Sequence, residues 1–313
     1  MDKKNKFSMK SKFSMKSKFS KKKKKISERT RTLFLFTLPS VVMYTVFFTV
    51  TMAIGIYYSF TDWNGIRASY KIIGIGNYIK ALMDRKFQAA LKFNFVYTFL
   101  FVLILIVISL LVAICLNNLT KTSTIFRSIY FLPAVLSMVT VGLIWNELFY
   151  RALPVIGKAL NIGWLSNSLL GNKTTAMFGI LIVNLWQGCS IPIVLFLAGL
   201  QSVPSELYEA ATIDGANRWD KFKSITFPFL IPVLNMVIIT QVKAGLTIFD
   251  YIMAMTNGGP GGATQAVGIL IYNQAMKGNA YSQSVAESMI LFVIVAIVAA
   301  VTLKMTKNKQ VGD

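Results

Sequence analysis

Two charged residues stand where an apolar sequence can least easily hold them. Lys243 and Asp250 lie seven residues apart in the otherwise apolar stretch 229–255. At 3.6 residues per turn that spacing puts both nearly on one helical face, with Thr247 close by. Charges in hydrocarbon are costly and mark either a water-filled path or a pair that neutralises itself; both readings stand for these two. A second polar group, Asn184, Trp186 and Gln187, precedes Gly188 and Pro192 in the apolar stretch 176–200. Amides and an aromatic face are chemically suited to a sugar. Glycine and proline in mid-span predict a kink whose freed backbone groups face a cavity. Helix packing explains small and amide residues equally well. The chain has no histidine and no glycine-rich phosphate loop followed by Lys-Ser/Thr, so it lacks the commonest base and metal ligand and a means of hydrolysing ATP itself. The intramembrane acids Glu147, Asp250 and Glu287 are few and scattered, which disfavours a membrane-embedded enzyme of lipid or glycan chemistry.

The elements that must position these groups are apolar helices. Of 313 residues 55% are hydrophobic and 14% charged, and the mean hydropathy is +0.58. Soluble chains carry about a quarter charged residues, so this one reads as a polytopic membrane protein. Six spans are expected, at about 34–60, 93–116, 129–149, 176–200, 229–255 and 285–303. Residues 1–33 form a basic tail with KFSMKS at 6–11 and again at 12–17, then Lys21–Lys25. Like charges at that density repel and stay disordered, and the partner they imply is an anionic lipid surface rather than nucleic acid. A basic leader before an apolar run also describes a signal peptide, but this run is too long and lacks a small-residue cleavage site. Cys115 and Cys189 fall in apolar runs and read as small buried residues.

The longest polar interruption in the second half is Ser202–Pro228. Ser202 as N-cap, Pro204 in the first turn and Glu206 near the positive end of the dipole predict a helix, with Leu207, Ala210 and Ala211 on one face. Gly215 after Asp214 is a C-terminal stop. Asn217 and Asp220 restart a helix as a capping box, whose stripe is Trp219, Phe222 and Ile225. Pro228 either ends that helix or leads into the next span.

Glu209-Ala210-Ala211, three residues, Gly215, nine residues, Ile225, one residue, Phe227-Pro228 resembles the EAA loop of ABC importer membrane subunits, Phe227 standing where leucine is usual. Leu200–Pro204, Asp214-Gly215-Ala216, Ser59–Asn64, Gly74–Tyr78, Phe131-Leu132-Pro133, Gly142–Trp145 and Thr256–Thr264 resemble the carbohydrate-importer branch, the maltose-permease-like family. The resemblance covers about residues 30–305. It implies an all-α integral membrane protein with the type I ABC importer permease fold: a basic tail (1–33), a six-span permease domain (34–304) with the coupling loop at 201–228, and a short tail (305–313). It also implies that Glu209, Ala210, Ala211, Asp214, Gly215, Ile225 and Pro228 couple the chain to an ATPase; the polar groups read above from their chemistry alone, Lys243, Thr247, Asp250, Asn184, Gln187 and Trp186, are the candidates for the substrate path. The partners implied are a second homologous permease, two ATPase subunits that bind the ATP, and an extracytoplasmic solute-binding protein; no cofactor is expected in this chain. Sugar or oligosaccharide is the expected cargo, with glycerol phosphate or another solute as the alternative. A bacterial plasma membrane with both termini inside is the expected setting. That topology places 22 Lys and Arg inside and 10 outside, or 8 against 10 without the tail, so the positive-inside argument rests on the tail.

Overall fold

The computed structural model describes residues 28–117, 128–163 and 165–307. Over these the regular structure is helical, apart from an isolated antiparallel bridge between Thr61 and Ile72, with loops and turns between the helices. The repeated basic tail, Lys121 and Arg127 of the link after span two, and the last residues lie outside the described residues. Four helices are long and apolar enough to cross a membrane, and two bent pairs raise the number to six when each pair counts as one span.

Packing divides the chain between residues 54 and 55. The first unit holds α1 (Glu28–Tyr44), a π-helical turn (Thr45–Val50) and the start of α2 (Thr51–Ser59). Its apolar side chains from Leu33 to Val50 are exposed, which is expected of a surface made for hydrocarbon.

The second unit is built on α4 (Arg85–Asn117), preceded by the short α3 (Gly76–Met83). Phe87, Ala90, Asn94, Tyr97, Phe101, Leu105, Ser109, Ala113 and Leu116 are buried along α4. Their three- and four-residue spacing makes one continuous face. Outside the span, Trp63 stacks on Tyr58 at 4.3 Å, and the Tyr78 hydroxyl meets Ser59 at 2.7 Å, so both aromatics are fixed to the end of α2.

The remaining spans are broken helices, and each break has a local cause. Ser128–Val135 meets Met138–Ala159 at 100°, just after Pro133. The second arm comprises α5 (Met138–Glu147), a π turn (Leu148–Ala152) and α6 (Leu153–Ala159). Residues 150–159, expected in an outer loop, are therefore helical. In span four, α7 (Ala176–Gly188) and α8 (Ser190–Gln201) meet at 45°, where Gly188 and the N–H-less Pro192 predicted a kink. Cys189 is buried there, but Cys115 is exposed, against expectation.

Span five departs most from the sequence reading. One continuous helix runs from Arg218 to Leu246: α10 (Arg218–Lys221), a π turn (Phe222–Thr226) and α11 (Phe227–Leu246). Pro228 thus leads into the span rather than ending the loop helix. A proline inside a helix has no N–H to donate and presses on the carbonyl four residues back; the wider π turn just upstream accommodates it. The helix then stops at Leu246, and α12 (Asp250–Met255) starts afresh. Stretch 229–255 is not one span. Gly245 lets α11 touch α4, because a Cβ there would lie 2.8 Å from the Thr98 side chain. A turn follows in which Asn257, Gly258, Gly261 and Gly262 take positive φ. α13 (Val267–Met276) and α14 (Tyr281–Lys307) complete the unit.

Candidate functional site

The loop between α8 and α11 is a helix–turn–helix. Its first helix, α9 (Ser205–Ile213), has Pro204 rather than Ser202 as N-cap. Ser202 closes α8 instead, its Oγ donating to the Gly199 carbonyl at 2.8 Å. Gly215 takes φ +76°, and the Ala216 N–H reaches back to the Ala211 carbonyl at 2.9 Å, a Schellman closure that requires a left-handed residue. Asn217 and Asp220 form the capping box: Asn217 Oδ1 accepts from the N–H groups of Trp219 (2.8 Å) and Asp220 (3.0 Å), and Asp220 Oδ2 accepts from the Asn217 N–H (3.2 Å). Two side-chain bonds brace the helices, Lys221 Nζ to Thr212 Oγ1 and Tyr208 hydroxyl to Thr226 Oγ1, both 2.8 Å.

No residue of α9 is buried. Glu209, Ala210, Asp214 and Gly215 are exposed, and Ala211 and Ile225 half-buried. Of the apolar stripe expected through Leu207, Leu207 and Ala210 are exposed among the described residues. Ile213 is 87% and Trp219 68% exposed, large apolar surface on a segment otherwise rich in charge.

The second cluster lies where span five breaks. A cavity of about 410 Å³ is lined by Met138, Asn184, Thr240, Lys243, Thr247, Phe249, Asp250 and Tyr251, among others. It brings together four of the six residues singled out in the spans. Lys243 is in the last turn of α11 and Asp250 in the first turn of α12, so each complements the partial charge of its helix end. They do not sit on one helix face as expected, and they make no ion pair: the described ion pair is Arg151 with Glu147, 2.9 Å apart.

Trp186 and Gln187 are placed elsewhere. Trp186 packs edge-on to Trp145 at 5.9 Å and lines an apolar groove with Ile108, Tyr130 and Pro133. Gln187 is buried, and its groups are spent on protein partners: Nε2 donates to the Pro133 and Leu136 carbonyls (3.0 and 2.8 Å), and Oε1 accepts from the Tyr251 hydroxyl (2.7 Å). Asn184 lines the cavity while its Nδ2 donates to the Tyr97 hydroxyl at 2.8 Å.

Asn94, not singled out in the sequence, does similar work at the span-five break. Its Nδ2 donates to the Leu246 carbonyl (2.6 Å), and its Oδ1 accepts from the Val267 N–H (3.1 Å). Asn146 Nδ2 donates to the Met255 carbonyl at 2.5 Å. A broken helix in hydrocarbon must have its orphan backbone groups satisfied from elsewhere in the protein, and here the buried Asn94 and the half-buried Asn146 satisfy three of them. The sequence signal was available, since an Asn inside an apolar run is costly without such a task.

Residues 106–305 match the model of the family described as "Binding-protein-dependent transport system inner membrane component". The chain is 43% identical over 276 residues to the multiple sugar-binding transport system permease protein MsmF of Streptococcus mutans, covering 88% of this chain and 95% of that one. It is 34% identical over 278 residues to the arabinooligosaccharides transport system permease protein AraP of Bacillus subtilis, covering 87% and 88%. Among solved structures, a bacterial ABC transporter involved in import of the acidic polysaccharide alginate matches with a TM-score of 0.78 at 20% identity, over 90% of this chain and 96% of that one. The fold is thus shared well beyond sequence similarity, and the chain belongs to the family of inner-membrane components of binding-protein-dependent transport systems.

Proposed function

We propose that this chain is a permease subunit of an ABC importer for a sugar or oligosaccharide, and that the solute crosses through the cavity at the span-five break. The observation that carries the reading is the cavity itself, in which Asn184, Lys243, Thr247 and Asp250 converge beside Phe249 and Tyr251. Fixed hydrogen-bonding groups of both charges among aromatic rings suit a neutral polyhydroxylated solute. A phosphorylated solute would meet Asp250 as well as Lys243, so the glycerol phosphate alternative is the weaker one. The sugar-transport names of the relatives support the same reading.

The partners in this proposal are a second permease, two ATPase subunits and an extracytoplasmic binding protein, with both termini on the ATPase side. Glu209 is exposed on α9 and would meet a basic group of the ATPase, while Ile213 and Trp219 supply apolar contact. ATP-driven closure would push on α9. The brace between α9 and the α10 end of the helix Arg218–Leu246 would carry that movement along about 38 Å of continuous helix, at 1.5 Å per residue, to Lys243 and the cavity. The test is gentle extraction of the tagged chain from its own cells, with the co-purifying proteins identified and uptake of labelled oligosaccharides measured with and without the chain. Recovery of an ATPase, a second permease and a binding protein, with uptake dependent on the chain, is expected. Recovery of the chain alone, with every sugar taken up normally in its absence, would overturn the proposal.

A further inference from the structure

We propose that Gln187 is a positioning residue for the solute cavity, acting through Tyr251 as a latch that joins three broken helices. This rests on the reading of the cavity at the span-five break as the solute path. Gln187 itself does not line that cavity, but Tyr251 does.

The argument is one of hydrogen-bond capacity. A primary amide has two N–H donors and a carbonyl acceptor. In Gln187 both kinds of group are engaged, and every partner belongs to a discontinuity. The Pro133 and Leu136 carbonyls lie at the 100° bend of span three. Gln187 adjoins Gly188, where span four bends by 45°. Tyr251 is in the first turn of α12, just past the interruption of span five. Gln187 is 6% and Tyr251 5% exposed, so water cannot readily replace either partner. One side chain thus fixes where the cavity wall at Tyr251 stands relative to spans three and four. Asn94 ties the span-five break to α4 and α13, and Asn146 ties α5 to the end of α12; among the described residues Gln187 joins the discontinuities of spans three, four and five. Movement of α12 relative to span four requires the 2.7 Å bond from Tyr251 to Gln187 to open, and a solute touching Tyr251 bears on that bond.

A positioning role and a merely structural one differ in kinetics. Loss of the latch loosens the wall that meets solute, so the KM for uptake rises while the maximal rate per inserted protein holds. Loss of packing alone reduces the amount of inserted protein and leaves KM unchanged. The experiment is uptake in cells expressing Tyr251→Phe, Gln187→Met and the double variant, normalised to protein in the membrane. Tyr251→Phe removes one hydroxyl and keeps the ring, so it decides the matter even where Gln187→Met inserts poorly. The expected result is an increase in KM of about tenfold for Tyr251→Phe, the scale of one buried hydrogen bond, and no further increase in the double variant because the two act as a unit. Unchanged KM in Tyr251→Phe, or multiplicative effects in the double variant, would overturn the latch. Lys243→Ala and Asp250→Asn measured alongside separate the two failures. If they raise KM and Tyr251→Phe does not, the latch is wrong and the cavity stands; if none of the three changes KM, the cavity is not the solute path.

Discussion

Under the proposed solute path, Lys243 and Asp250 are charges that each meet the solute. Neither is paired with the other, both line the cavity, and an unpaired charge in a span is kept only at a cost of about 2.5–3.5 kcal/mol on insertion scales. If each reaches the solute separately, exchanging them (Lys243→Asp with Asp250→Lys) does not restore uptake lost in the single changes. Recovery in the exchanged variant would mean they serve each other and sink the pathway reading. Gly215 gives a second residue-scale prediction. Its φ is +76° and a Cβ there meets nothing within 4 Å, so Gly215→Ala has no clash and only backbone strain, on the order of 1 kcal/mol. Insertion should be normal and ATPase-driven uptake reduced, because the turn fixes the angle between α9 and α10; uptake equal to wild type would show that the turn tolerates strain without consequence.

At the scale of elements, the helix–turn–helix was legible because local chemistry writes it: the capping box, the glycine stop and the apolar spacing all act within a few residues. Asn217→Ala removes the Oδ1 that accepts from Trp219 and Asp220 and should cost about 1 kcal/mol, opening α10 roughly five times as often. Faster limited proteolysis at Arg218, Lys221 and Lys223 is the readout; an unchanged cleavage rate would mean that the π turn and α11 hold α10 by themselves. The bend of span four was also legible, from Gly188 and Pro192. The stop at Leu246 was not. Nothing apolar changes there in the sequence, and the break is stabilised from elsewhere, by Asn94 capping the Leu246 carbonyl and by the close approach of Gly245 to Thr98. The same reason hid the fate of Gln187: its amide suited a sugar in composition, and only the fold brings it to Pro133, Leu136 and Tyr251.

Across the whole permease unit, one helix joins two kinds of site. Arg218 to Leu246 is continuous, with the braced loop at one end and Lys243 one turn from the other. Changes at the two ends should therefore fail in different ways. Glu209→Ala removes an exposed carboxylate from a helix that carries no buried residue, so insertion and the cavity are untouched. If Glu209 meets the ATPase as proposed, its loss lowers the maximal rate of uptake and leaves KM where it was, the signature of a step after solute entry. Lys243→Ala alters the cavity wall while the loop and its braces stay intact, so KM rises first. Measured as concentration curves on equal amounts of inserted protein, these two variants give orthogonal changes if the helix is a lever between an energised end and a solute end. If Glu209→Ala also raised KM, the loop would be setting the shape of the cavity at rest rather than transmitting a stroke, and the direction of coupling would have to be reversed.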